Sequence, residues 1–272
     1  FGTGAAGGGG GTALLPDDAF MRLQNEYRQT AQALLREKDY QKAAFVYLKL
    51  LKDFSAAAET LEKGHYYAEA ASVYLKYCKN REKAAACYEK GNLVSQAIEL
   101  YIELNQEEKV GDLYCLIDKR EVAMTYYEKV AQNHIRCQQY VKAALLYKNK
   151  MAALSKAQEG LLQGWRSGKD AFNCLGFFLS NIEDQAQRYH ALETIIKEDV
   201  HERNSSAFIQ ILKQEYAKGD ELAIRAKEMA YELVVAQVAL NPSIITELAA
   251  FNKEDRQLHK DLVRFKVQQK KR

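Results

Sequence analysis

Between Asp39 and Tyr147 small apolar residues and tyrosines alternate with charged residues at helical spacing. Tyr40, Ala43, Ala44 and Tyr47 set a pattern that returns at Tyr67, Ala70, Ala71 and Tyr74, and again at Tyr140, Ala143, Ala144 and Tyr147. Between these copies the Tyr47 position has echoes at Leu61, Tyr88, Tyr101, Tyr114 and Tyr127, so that successive anchors recur at a nearly constant interval until the last. One beat predicts one short helix and its turn. Two beats predict a helical hairpin that cannot bury its apolar face alone and must stack on its neighbours. The small residues Ala44, Ala71, Ala97 and Ala144 are expected to let adjacent helices approach, with Tyr47, Tyr74, Tyr88, Tyr101, Tyr114, Tyr127 and Tyr147 filling the grooves between them.

The predicted elements follow from this pattern. A helix opens at Pro16-Asp17-Asp18 and presents Phe20, Leu23, Tyr27, Ala31, Leu34 and Leu35 on one face. Residues 57–77 superpose on 84–104, each carrying Glu-Lys-Gly at its break, and Gly64 and Gly91 are expected to be left-handed helix caps. Beyond Met151 the beat is lost. A helix is expected over 151–162, ending near Gly164, and another over 171–179. A third over 183–197 presents Tyr189, Leu192 and Ile196 on one face, a fourth is capped by Ser205 or Ser206, and longer ones span 220–240 and 243–268 with Asn241-Pro242-Ser243 as the hinge. In the last, Leu248, Phe251, Leu258, Leu262 and Phe265 resemble a heptad seam. The expected organisation is a Gly-rich linker over 1–15, a short-helix array over 16–150 and a longer-helix continuation over 151–272, ending in a basic helix.

Composition sharpens this picture. Only two prolines occur in 272 residues, both at expected helix starts, which makes the chain all-α in expectation. The net charge of +3 is close to balance and implies no polyanionic partner, but residues 253–272 carry eight Lys or Arg against three Asp or Glu. The five cysteines form no C-x-x-C and read as buried reduced thiols of a cytoplasmic protein. The most apolar run, 172–182, is too short to cross a bilayer. Opening on Phe1 rather than Met, the chain is expected to be a fragment or processed form.

The candidate chemistry is sparse. Gly2, Gly4 and Gly7 spell G-x-G-x-x-G, but no strand precedes them and Gly8 to Gly11 oppose a helix start, so the stretch reads as linker. The run 164–170 has one residue too few between its glycines for a phosphate loop and has Asp170 where Ser or Thr would bind magnesium. The five histidines are scattered and nothing has the form of a nucleophile elbow, so no catalytic residue, cofactor or metal is expected. Candidate partner contacts are Tyr66, Tyr77 and Tyr126 on the helical surface and the cations Arg264, Lys266, Lys270, Lys271 and Arg272 at the C-terminus.

The Tyr-x-x-Ala-x-x-x-Tyr run at Tyr40/Ala43/Tyr47, Tyr67/Ala70/Tyr74 and Tyr140/Ala143/Tyr147 resembles the second helix of a tetratricopeptide repeat. The period, two beats long, is shorter than that of the family, and no proline closes each repeat. The shorter period is similar to the helical zigzags of clathrin heavy chain and to the solenoid tails behind β-propellers in coat and intraflagellar transport proteins. This resemblance, over roughly residues 20–150, implies a right-handed α-solenoid of short antiparallel hairpins. It also implies a non-enzymatic scaffold that docks helical or extended segments of other proteins. The alternative expectation is a module that binds nucleic acid or anionic membrane through the basic C-terminal helix.

Overall fold

The computed structural model describes residues 17–269, and these are all-α, with no strand among them. The Gly-rich stretch, Pro16 and the terminal Lys270, Lys271 and Arg272 lie outside them. The chain divides into two compact units, one up to Ala123 and one from Met124.

In the first unit α1 (Asp17–Arg36) is followed by α2 (Tyr40–Phe45), which continues into a π-helical segment over Val46–Leu51. Next come α3 (Phe54–Lys63), α4 (Tyr67–Val73) with a second π-helical segment over Tyr74–Cys78, α5 (Arg81–Lys90), α6 (Val94–Glu103) and α7 (Glu107–Leu116). Short connections join consecutive helices, and from α1 to α7 each packs on the next. Their seam is built of alanine and tyrosine: Ala44, Ala58, Ala70, Ala71, Tyr74, Ala84 and Cys87 form one buried cluster, with Leu48, Tyr66, Tyr77 and Tyr88 packed against it.

Each helix stops in the same way. Lys38, Lys52, His65, Lys79, Asn92, Asn105 and Asp118 are left-handed, with φ between 54° and 63°. The next residue then turns its N–H back onto the helix. The accepting carbonyl belongs to the anchor: Asp53 N–H reaches Tyr47 O, Tyr66 reaches Leu61, Asn80 reaches Tyr74, Leu93 reaches Tyr88, Gln106 reaches Tyr101 and Lys119 reaches Tyr114, all at 2.8–3.0 Å. The beat in the sequence is therefore the spacing of helix ends. Asp39, Asp53 and Asn80 then start the following helix by accepting the N–H three residues on, which satisfies a donor the helix itself leaves unpaired.

Two glycines behave differently from expectation. Gly64 and Gly91 have φ −84° and −82°, ordinary right-handed values, and the left-handed residues are their successors His65 and Asn92. Glycine is needed there for close approach. A Cβ on Gly64 would lie 2.6 Å from Tyr40 Cβ, and one on Gly91 would lie 2.8 Å from Tyr67 Cβ. Gly164 repeats the relation in the second unit, 2.9 Å from Tyr140 Cβ and 2.5 Å from Cys174 Sγ. In all three cases the first tyrosine of the Tyr-Ala pattern packs on a glycine at the same separation along the chain: Tyr40 on Gly64, Tyr67 on Gly91 and Tyr140 on Gly164.

The second unit takes in most of α8 (Arg120–Arg136), then α9 (Tyr140–Asn149), α10 (Leu154–Ser167), α11 (Ala171–Ser180), α12 (Gln185–Glu198), α13 (Ser205–Ala217) and α14 (Glu221–Gln237). A 3-10 segment over Pro242–Phe251 and α15 (Arg256–Gln269) complete it. α8 runs past its anchor Tyr127 and ends at left-handed Gln138, which is why the beat slips there. α10 continues through Gly164 and stops at Gly168, φ +74°, so the run that resembles a phosphate loop is mostly helix. The core changes character beyond it: Trp165, Leu175, Leu192, Phe208, Ile209, Ile211 and Leu212 are buried to 1% exposure or less, with Trp165 and Phe208 rings 6.0 Å apart. α13 starts after Asn204, a buried side chain that accepts from His201 N–H and donates to Asp199 O. The expected continuous helix over 243–268 is broken. Asn252 turns its amide onto Tyr231 Oη and Leu248 O, and Asp255 caps a new helix through Leu258 N–H.

Candidate functional site

Three of the buried tyrosines are held by the same polar arrangement. Tyr74 Oη donates to Glu62 at 2.8 Å, Tyr101 Oη to Glu89 at 2.6 Å, and Tyr147 Oη to Glu128 at 2.8 Å. A lysine from the following helix completes each: Lys83, Lys109 and Lys156 stand 5.2, 4.6 and 5.5 Å from the Tyr74, Tyr101 and Tyr147 ring centroids. Lys90 and Lys156 also bond Glu62 and Glu128, both at 3.0 Å. Each clamp ties three successive helices together at the point where the ring meets solvent.

The electrostatics follow from this geometry. Burial alone would raise the Glu62 pKa, yet the hydrogen bonds from Tyr74 and Lys90 and the charge of Lys90 hold it below its ordinary value. Glu128 is lowered against burial by Gln132, Tyr147 and Lys156. The tyrosines move the other way. Burial and the neighbouring glutamate raise all three, Tyr147 to about 12. Burial also pushes the Cys87 thiol up to about 12 and Cys174 to about 11, so neither is a thiolate at neutral pH. Among the described residues no group of His, Cys, Asp and Glu has a metal-holding arrangement, and no helix is long and apolar enough to cross a membrane.

Tyr47 has different surroundings. It lines an open groove of about 620 Å³ with Gln24, Arg28 and Gln32, one stripe of α1 at a spacing of four residues, and with Leu51, Lys52, Asp53, Phe54 and Tyr77. Phe54 and Tyr77, both in the lining, stack on one another at 4.7 Å and 18°, with Lys76 Nζ 5.3 Å from the Tyr77 centroid.

The sequence-derived packing set divides by burial. Ala44, Ala71, Ala97 and Ala144 and the rings of Tyr74, Tyr101, Tyr127 and Tyr147 are buried, whereas Tyr47, Tyr88 and Tyr114 are half-buried. Of the surface candidates, Tyr77 reaches the groove, Tyr66 lies against the Gly64 close approach, and Tyr126 is half-buried on α8. Arg264 is exposed and pairs with Asp261 at 3.4 Å, one turn away on the same helix. Lys266 belongs to α15, while Lys270, Lys271 and Arg272 fall outside the described residues. Sequence reasoning missed Arg28, Gln32, Lys52 and Phe54. The signal that finds the first two is a longer register within the chain. It places Tyr27, Ala31, Gln32, Tyr40, Ala43, Ala44 and Tyr47 on Tyr127, Ala131, Gln132, Tyr140, Ala143, Ala144 and Tyr147. No protein-family model matches the chain, and no curated protein matches it either.

Proposed function

We propose that this chain is a non-enzymatic scaffold, a right-handed α-solenoid of tetratricopeptide-like hairpins that docks helical or extended segments of other proteins. The observation that carries this reading is the groove at Tyr47, where a stacked aromatic pair adjoins exposed polar and cationic side chains. Aromatic rings and arginine are the side chains that most often anchor protein partners. The repeated helix ends, the recurring packing of tyrosine on glycine and the clamps linking three successive helices support a stacked arrangement in which each hairpin depends on its neighbours. The hairpin between the left-handed residues Asp118 and Ala152 has the tetratricopeptide length, while those before it are shorter.

Small-angle scattering tests the architecture: a solenoid gives a radius of gyration well above the roughly 18 Å of a compact chain of this length, and a value at that level removes it. Capture from native lysate tests the function. The expected result is a stoichiometric protein that survives added salt and is lost when Arg28→Glu and Tyr77→Ala are combined. Nucleic acid or anionic lipid alone, lost as salt rises, overturns the scaffold reading and moves the activity to the basic C-terminus.

A further inference from the structure

The hairpins that close on a tyrosine provide an internal standard for the Tyr47 groove. Tyr47, Tyr74 and Tyr147 occupy the same place, since each lends its carbonyl to an N–H six residues on, at 2.9, 3.0 and 2.9 Å. Tyr74 and Tyr147 each have a glutamate on their hydroxyl and a lysine, nine residues on, over their ring. At Tyr47 both partners are replaced. Nine residues on stands Ala56, and twelve residues back, where Tyr74 finds Glu62, stands Leu35. The position matching Glu128, nineteen residues back, is Arg28. Pocket for pocket the match holds: Gln132 and Glu128 line the cleft at Tyr147 as Gln32 and Arg28 line the one at Tyr47.

The charge at this place is thus reversed and unanswered. Among the described residues Arg28 has no ion pair and the Tyr47 hydroxyl no hydrogen-bond partner, although both line the groove. Lys52 adds a second cation. Among the described residues the one carboxylate in the lining, Asp53, already accepts Ala56 N–H at 3.0 Å as the cap of α3. Two donors that are paired with acid elsewhere in this chain, a tyrosine hydroxyl and a neighbouring cation, here face solvent in a groove whose volume suits a bound segment.

We propose that the Tyr47 groove takes the side-chain carboxylate of a glutamate or aspartate on an extended segment of another protein. The partner supplies to Tyr47 and Arg28 the acid that the chain itself supplies to Tyr74, Tyr101 and Tyr147. An apolar or aromatic neighbour of that acid packs against the stacked Phe54–Tyr77 pair and Leu51, which line the same groove. Arginine favours this role because its planar guanidinium matches a carboxylate through two donors. The inference rests on the scaffold reading and narrows it to one chemistry.

The probe is a fluorescein-labelled, end-capped peptide of sequence Glu-Ala-Phe-Glu-Ala-Leu-Glu, compared by anisotropy with its glutamine counterpart and with one carrying lysine at the glutamate positions. The acidic peptide is expected to bind the intact chain, with the glutamine peptide weaker by roughly tenfold, a loss typical of removing one charged partner. Arg28→Glu is expected to abolish acidic binding and to confer binding of the lysine peptide. Arg28 is exposed, so the fold tolerates the change, and an unaltered circular dichroism melt verifies it. Tyr47→Phe is expected to weaken the acidic peptide several-fold without affecting the melt. Equal binding of all three peptides, or displacement of the acidic peptide by millimolar inorganic phosphate, overturns the proposal. Absence of acidic-peptide binding while a lysate protein is still captured independently of Arg28 overturns it too, and leaves the scaffold reading standing.

Discussion

From Phe54 to Asp118 the helices are nearly uniform in length when their π-helical ends are included, all stop on a left-handed residue, and pack through alanines and tyrosines. From Ala171 to Phe251 their lengths vary, from the short α11 to the much longer α14, and their ends differ from one to the next: Asn181, Asp199 and Val238 are right-handed, while α13 closes on Gly219 at φ +70°. The core there is Phe208, Ile209, Ile211, Leu212 and Leu175. The first region gains stability from backbones that approach closely, which demands residues with little or no side chain at the crossing. The second gains it from buried volume, which large side chains supply and which leaves helix lengths free to vary. Sensitivity to mutation should therefore have opposite signs of volume in the two regions: loss of atoms hurts the second, gain of atoms hurts the first.

The largest effect is expected from Phe208→Ala, which deletes a fully buried ring and costs about 3–5 kcal/mol. The single tryptophan, Trp165, lies against that ring, so its fluorescence in a urea titration reads the loss directly. Next come Gly64→Ala and Gly91→Ala, where one added carbon meets a tyrosine Cβ at 2.6 and 2.8 Å and costs about 1–3 kcal/mol in the circular dichroism melt. Tolerance of both would end the close-approach account of the first region.

The clamps give a smaller and pH-dependent effect. Tyr74→Phe is expected to cost about 1 kcal/mol at neutral pH. Glu62 has a folded pKa below its ordinary 4.5, so its contribution is present above that value and lost as pH falls through the lowered one. Tyr74 has a folded pKa above its ordinary 10.0, so its contribution is complete below pH 10 and lost on the alkaline side. In Tyr74→Phe the difference in melting temperature from the parent chain should be flat between those limits and shrink outside them. A difference that ignores pH would show that the clamp is only packing. The smallest effect is Gly160→Ala, a stabilisation of about 0.5–1 kcal/mol, because a Cβ there meets nothing within 4 Å and glycine is costly inside a helix. Paired with Gly164→Ala on the same helix, it separates space from chain stiffness.

Much of the first region was legible because its signal is local. Tyrosine, alanine and a regularly recurring break are one-dimensional marks of helix ends, and they lie on the carbonyls that close those ends. Gly64 and Gly91 stood out in the sequence, but the reason they are glycine is Tyr40 and Tyr67, each a whole hairpin earlier, which no local pattern encodes. The groove was harder still. Arg28 is one charged residue on a polar helix face, and only superposition on Glu128 marks it as a departure. Asn252 interrupts the expected last helix through hydrogen bonds to Tyr231 and Leu248; the seam is broken in the sequence at Asp255, but nothing in it announces those two bonds.

The wide turns at Tyr47, Tyr74 and Tyr147 have a consequence for how such a chain can change length. From Lys38 to Asn92 the left-handed residues follow one another in steps that alternate by a single residue. The longer steps, Lys38 to Lys52 and His65 to Lys79, are those that close six residues back. One extra residue is thus stored as a bulge within the helix, and the short connection after it is untouched. Insertions and deletions would accordingly settle inside helices rather than in the turns, the reverse of where a comparison of related chains ordinarily places its gaps.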